Sequence, residues 1–161
     1  MPLVLDLLRH GDSLPASPDG DDARRLSPRG GEDLQRLAAH LATLGWRPTR
    51  AFTSPLRRAR DSAAIVLRGT APGLRPRELD ALRSESDPEA MLDALVLEGV
   101  SGEGHIFLVG HQPLLGRLGG LLTGGPPPAF APGCLLRFEF AGALLPGHGT
   151  MGWKLAPGFT G

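Results

Sequence analysis

Apolar positions along this chain fall into short continuous runs that alternate with stretches of helical spacing. Leu3 to Leu8 is almost continuously apolar, as a strand buried on both faces should be, and only Asp6 interrupts it. The run ends in Arg9-His10-Gly11-Asp12, and a polar loop rich in Pro and Gly follows from Ser13 to Arg25. Ser27 then Pro28 predicts a helix cap and first helical position, because serine accepts from orphan amides and proline has none to lose. Leu34, Leu37, Ala38, Leu41 and Leu44 form one apolar stripe, and Gly45 ends it. Arg50 to Thr53 predicts a short strand, and a second helix is expected from Leu56 to Leu67. Leu74 to Leu79 reads as a short edge strand, since Pro76 cannot donate to a ladder.

Asp87-Pro88-Glu89 opens a third helix by the same cap-then-proline logic, with Met91, Leu92, Leu95 and Val96 expected to face inward. Ile106 to Val109 predicts another buried strand, ending in Gly110-His111. Pro113 to Leu122 reads as a Gly-rich helix and Gly124 to Pro128 as a loop. Cys134 to Phe140 and Thr150 to Leu155 predict a closing pair of strands, and Trp46 and Trp153 are read as packing residues. Strands alternating with helices predict βαβ units. The expected fold is α/β, a three-layer sandwich whose mostly parallel central sheet carries helices on both faces.

The 161 residues suit one domain spanning 1–161. A chain of that size buries roughly 70% of the surface its unfolded form exposes. Hydrophobic residues at 41% and charged residues at 21% exclude a disordered chain, and no apolar stretch approaches the ~20 residues of a membrane span. A formal net charge of +0 argues against nucleic acid or an acidic membrane as partner, since both need a basic face. The N-terminus lacks the basic start and small-residue cleavage site of a signal peptide, so the cytoplasm is the expected compartment. Cys134 is the lone cysteine and is read as a core residue. Lys154 is the lone lysine, so basic character rests on arginine, of which only positioned residues carry weight. Nothing in the pattern specifies an oligomer.

The candidate chemistry lies at the carboxyl ends of the predicted strands, where open α/β sheets bind ligands. Arg9-His10-Gly11, Ser54-Pro55-Leu56-Arg57-Arg58-Ala59 and Gly110-His111 are expected at one rim. Two arginines and two histidines suit a phosphoryl dianion. Arginine binds phosphate oxygens bidentately, neutral imidazole attacks phosphorus, and protonated imidazole donates to a phosphoryl oxygen. Gly11 would let backbone approach the ligand. Two arginines beside His10 and His111 would repel a cation, so neither a metal nor another cofactor is expected. His40, His105 and His148 are read as surface or loop residues.

These segments resemble the histidine phosphatase superfamily, which includes phosphoglycerate mutases. Leu8-Arg9-His10-Gly11 resembles its signature, and Leu26-Ser27-Pro28-Arg29-Gly30 resembles the segment before its first helix. Ser54-Pro55-Leu56-Arg57-Arg58-Ala59 and Gly110-His111-Gln112-Pro113 resemble two later segments, in the same order. The resemblance implies a phosphoglycerate mutase-like fold with His10 as the nucleophile that becomes phosphohistidine. It makes Arg9, Arg58 and His111 the phosphate pocket; Arg57 is read as a solvated helix residue. Length, the Arg-His-Gly-Asp start and the lack of long insertions are similar to the SixA-like phosphohistidine phosphatases.

Many family members carry a glutamate acid where this chain has Leu79-Asp80-Ala81, with Ala81 at the glutamate position. Asp12, Asp80, Glu85 and Asp87 are the nearby carboxylates, and Asp80 is the candidate acid. Without a strong acid the site suits a phosphoramidate, because protonated imidazole leaves far more readily than an alkoxide, which needs general-acid help worth roughly 10²–10⁴-fold. Asp61-Ser62 stands where the family usually has Gln-Thr and is expected to support the pocket. The expected partner is therefore a phosphorylated protein bearing phosphohistidine. The alternative is a small phosphorylated substrate, handled by a metabolite phosphatase or mutase. A weakly catalytic, phosphate-binding regulatory protein ranks last, since all four pocket residues are present.

Overall fold

The computed structural model describes residues 2–15 and 17–158. Residues 1 and 159–161, the ends of the expected single domain, lie outside them. Six strands form one sheet: β1 (Leu3–Arg9), β2 (Arg50–Thr53), β3 (Arg77–Glu78), β4 (Gly104–Gly110), β5 (Leu135–Phe140) and β6 (Thr150–Leu155), in the order β3-β2-β4-β1-β5-β6. β3, β2, β4 and β1 run parallel, whereas β5 is antiparallel to both β1 and β6.

Both faces of the sheet are covered. Helices α1 (Pro28–Thr43) and α2 (Arg57–Thr70) cover one, packing Leu34, Leu37, Leu41, Ala63 and Val66 against Leu8, Phe107 and Val109. Helices α3 (Pro88–Leu97) and α4 (Leu114–Thr123) cover the other, packing Met91, Leu95, Leu115 and Leu118 against Leu5, Leu7 and Leu108. This is the three-layer sandwich that the alternating pattern predicts. The caps also form: Ser27 Oγ accepts from Gly30 N at 3.0 Å, and Asp87 Oδ1 accepts from Glu89 N at 3.2 Å.

Three expectations are corrected. The predicted edge strand Leu74–Leu79 shrinks to Arg77–Glu78, because Pro76 removes a ladder donor and only the residues after it pair with Phe52 and Thr53. Val96 was expected inward but is 57% exposed near the end of α3, beyond the layer that Met91, Leu92 and Leu95 complete. His105 is not a loop residue: it lies on β4, and its Nε2 is 2.6 Å from Oδ2 of the fully buried Asp6. Arg137 reaches both oxygens of Asp6 at 2.8 Å, and Trp46 Nε1 donates to Oδ2 at 2.6 Å. Burial alone would raise the Asp6 pKa, but the hydrogen bonds and charges of Arg137 and His105 hold it below its ordinary value. The interruption in the first apolar run is thus the centre of a buried polar network. Arg137 also stacks over the Trp153 ring, 4.4 Å from its centroid.

Register brings the functional segments together. Arg9 pairs with Gly110 and Thr53 with Val109, so β1, β2 and β4 end at one level. His10 N donates to Gly110 O at 3.1 Å, and Ser54 N donates to Val109 O at 2.9 Å. No helix among the described residues is long and apolar enough to cross a membrane.

Candidate active site

The chain beyond β1 is pinned at the N-terminal end of α1. Ser27 N donates to Asp12 O at 2.9 Å, and Ser27 Oγ donates to Asp12 Oδ2 at 2.6 Å. A Cβ on Gly30 would sit 2.1 Å from the Asp12 carbonyl oxygen, so only glycine admits this crossing. Gly11 has a similar constraint. A Cβ there would meet Leu34 Cδ1 at 2.9 Å and Gly30 O at 3.2 Å. Its missing side chain therefore serves packing against α1, where the sequence pointed to ligand approach. Its amide is also engaged, donating to Ser62 Oγ at 3.0 Å.

His10 and His111 face each other with ring centroids 5.0 Å apart. Both are buried, at 6% and 2% exposure. His10 Nδ1 is 2.8 Å from Gly11 O, a contact that requires Nδ1 to carry the proton and leaves Nε2 with its lone pair. His111 Nε2 is 2.8 Å from Ser54 Oγ. Burial, then the Arg58 and Arg9 charges, push the His10 pKa down to about 4. Burial, then His10 and Arg58, push His111 down to about 3. Both rings are therefore neutral near pH 7.

The two arginines are held from outside the strand ends. Arg9 Nη1 donates to Phe130 O at 2.9 Å. Arg58 is 5% exposed; its Nη1 donates to Asp21 O at 2.8 Å and its Nη2 to Asp21 Oδ2 at 3.2 Å. Ser62, one helical turn on, donates to Arg58 O at 2.6 Å and so joins α2 to the Gly11 amide. Arg57 points elsewhere, toward Asp61 at 3.5 Å. Three buried side-chain nitrogens have no protein partner among the described residues: Arg9 Nε, Arg58 Nε and His111 Nδ1. Burying an unmade donor costs about 1–3 kcal/mol, so the two arginine nitrogens, with the His111 nitrogen beside them, mark a site built for an acceptor-rich ligand.

Asp80, the candidate acid, is 89% exposed at its side chain and pairs with Arg83 Nε at 3.3 Å. Asp12 is engaged by Ser27. Among the described residues, Asp21 is the one carboxylate hydrogen-bonded to any of Arg9, His10, Arg58 and His111. Burial opposes its ionisation, but Arg24 and Arg58 together lower its pKa overall. Asp21 was not legible in the sequence, since its place in a polar loop carries no periodic signal; nor was a role for Ser54, although it opens the segment Ser54-Pro55-Leu56-Arg57-Arg58-Ala59.

The family model of the histidine phosphatase superfamily (branch 1) matches residues 5–86, more than half of the chain. The chain belongs to the histidine phosphatase superfamily. A search of curated proteins finds no match. Among solved structures, the protein histidine phosphatase SixA complexed with tungstate is similar at TM-score 0.81 and 26% identity, covering 96% of this chain and 97% of that one. A structure assigned as a phosphohistidine phosphatase SixA from Agrobacterium tumefaciens aligns at TM-score 0.80 and 22% identity, over 98% and 99% of the two chains. Phosphoserine phosphatase from Entamoeba histolytica, in complex with 3-phosphoglyceric acid, aligns at 0.72 and 14%, over 97% and 98%. The fold is thus the phosphoglycerate mutase-like one, and superfamily membership supports a hydrolase of the phosphatase class.

Proposed function

We propose that this histidine phosphatase hydrolyses phosphohistidine on a protein, with His10 as nucleophile and Arg9, Arg58 and His111 as the phosphate pocket. The observation that carries the pocket is the set of three partnerless buried nitrogens on Arg9, Arg58 and His111. Phosphoryl oxygens supply the acceptors these nitrogens lack, and a site that positions and stabilises charge is what phosphoryl transfer requires.

His10 Nε2 attacks phosphorus in line as the bond from phosphorus to the substrate's imidazole nitrogen breaks. The departing imidazole, protonated on its other nitrogen before cleavage, leaves as a neutral ring. His10 then bears phosphorus on Nε2 and a proton on Nδ1. Its positive ring is stabilised by the Gly11 carbonyl, 2.8 Å from Nδ1. Water attacks phosphorus next, the P–Nε2 bond breaks, and neutral His10 returns with inorganic phosphate.

The preference for phosphohistidine rests on the missing acid. Ala81 stands at the family's glutamate position, Asp80 pairs with Arg83 in solvent, and Asp21 is held ionised by arginines. None of these suits proton donation to an alkoxide. The likeness to SixA structures points the same way. The test is turnover of a phosphohistidine-bearing protein beside a panel of small phosphate monoesters at equal concentration. Preference for the phosphoprotein is expected. Preference for a monoester would move the function to metabolite dephosphorylation and require an acid.

A further inference from the structure

We infer that Ser54 is a positioning residue that holds His111 as the neutral tautomer with its proton on Nδ1, so that Nδ1 is the donor offered to a phosphoryl oxygen. The inference rests on the pocket proposed above and assigns how one of its members works.

Ser54 is fully buried between β2 and α2, and its Oγ has two neighbours. Leu56 N donates to it at 3.2 Å, which uses one lone pair. His111 Nε2 lies 2.8 Å away. Two arrangements satisfy that distance. In one, the Ser54 hydroxyl donates to a bare Nε2, and the ring proton is on Nδ1. In the other, Nε2–H donates to Oγ; the hydroxyl proton then has no acceptor among the described residues at a fully buried position, and a bare Nδ1 lone pair would face the phosphate dianion. The first arrangement leaves no donor of Ser54 unmade, and unmade buried donors are costly. It also matches the environment. Nδ1 is the buried atom without a protein partner among the described residues, and the Arg58 and Arg9 charges oppose a positive ring. Beside two arginines a third positive charge is disfavoured, yet a neutral Nδ1–H still donates.

The roles of the two histidines are then set by one neighbour each. His10 keeps its proton on Nδ1 through the Gly11 carbonyl and exposes a lone pair. His111 keeps its proton on Nδ1 through the Ser54 hydroxyl and exposes a donor. The same tautomer serves attack in one ring and stabilisation in the other, because opposite nitrogens are tied back.

The test is long-range proton–nitrogen NMR on full-length protein labelled at histidine, near pH 7 and without phosphate, with His111 assigned by a His111→Gln variant. The expected wild-type signature is a neutral ring protonated at Nδ1. A neutral ring protonated at Nε2 would overturn the inference without any variant at Ser54. In Ser54→Ala the His111 signature is expected to shift toward Nε2–H, and kcat/KM to fall by at least roughly tenfold as a preorganised donor is lost. An unchanged signature, or a shifted signature with unchanged kcat/KM, also overturns it. His10→Ala separates the two claims. Retained turnover there would sink the nucleophile, whereas lost turnover with an Nε2-protonated His111 would sink only the role of Ser54.

Discussion

Arg58 is clasped by Asp21 through two different groups, the backbone carbonyl at 2.8 Å and the carboxylate at 3.2 Å. The carbonyl contact is independent of the side chain, so it can hold the guanidinium in place by itself. The carboxylate is 63% exposed, which makes its pairing energy small, while its negative charge opposes an incoming phosphate. Asp21→Ala should therefore tighten binding of inorganic phosphate by roughly two- to fivefold, the scale of an exposed pair. Calorimetric titration checks this, and weaker binding would show that the carboxylate positions Arg58.

Gly30→Ala should be costly although the position lies outside the pocket. The new Cβ would fall 2.1 Å from the Asp12 carbonyl oxygen, and both partners are backbone. Relief must move the turn that carries Gly11 and Asp12. Overpacking of this kind costs about 1–3 kcal/mol, and reduced turnover should accompany a lower Tm. A thermal melt unchanged from wild type would contradict this.

Asp6→Ala should unfold the protein more readily without touching the pocket. It would leave the half-buried Arg137 against β1 without its carboxylate and Trp46 Nε1 without its acceptor. Breaking one side of a buried pair costs about 3–5 kcal/mol. The turnover of the remaining folded fraction should stay near wild type. Urea melts followed alongside activity test both halves.

Acid should destabilise the fold well above the range of ordinary carboxylates. His10 and His111 have native pKa values pushed down to about 4 and about 3, mainly by burial. The unfolded chain protonates its histidines near pH ~6.5. Below that pH the unfolded state binds protons the native state refuses, so stability is full above ~6.5 and falls as pH drops toward the native values. Each ring contributes up to about 1.4 kcal/mol per pH unit. Urea melts between pH 7 and 5 should show this slope, reduced in His10→Gln or His111→Gln. A flat profile in wild type would contradict neutral burial of the two rings.

Features decided within a few residues were legible in the sequence. The caps Ser27 and Asp87 form the expected hydrogen bonds because their partners lie two or three residues away. The rim placement of His10, Arg58 and His111 follows from strand ends, and the register of β1, β2 and β4 supplies it. The Asp6 network could not be read this way. It depends on Arg137 standing opposite Asp6 across the antiparallel pair β1–β5, a partner 131 residues distant. Ser54 and Asp21 escaped for a related reason: each acts through a contact that exists only once loops close over the strand ends. Val96 misled because helical spacing locates a stripe but not where the covering layer stops.

The most direct test of the central claim is to trap the covalent intermediate. Protein mixed briefly with a radiolabelled phosphohistidine protein and quenched in base should carry label that is stable in base and lost in acid, as a phosphoramidate is. Peptide mass spectrometry should place it on His10, and His10→Ala should neither label nor turn over. Full turnover by His10→Ala, or label on another residue of an active enzyme, would contradict the account.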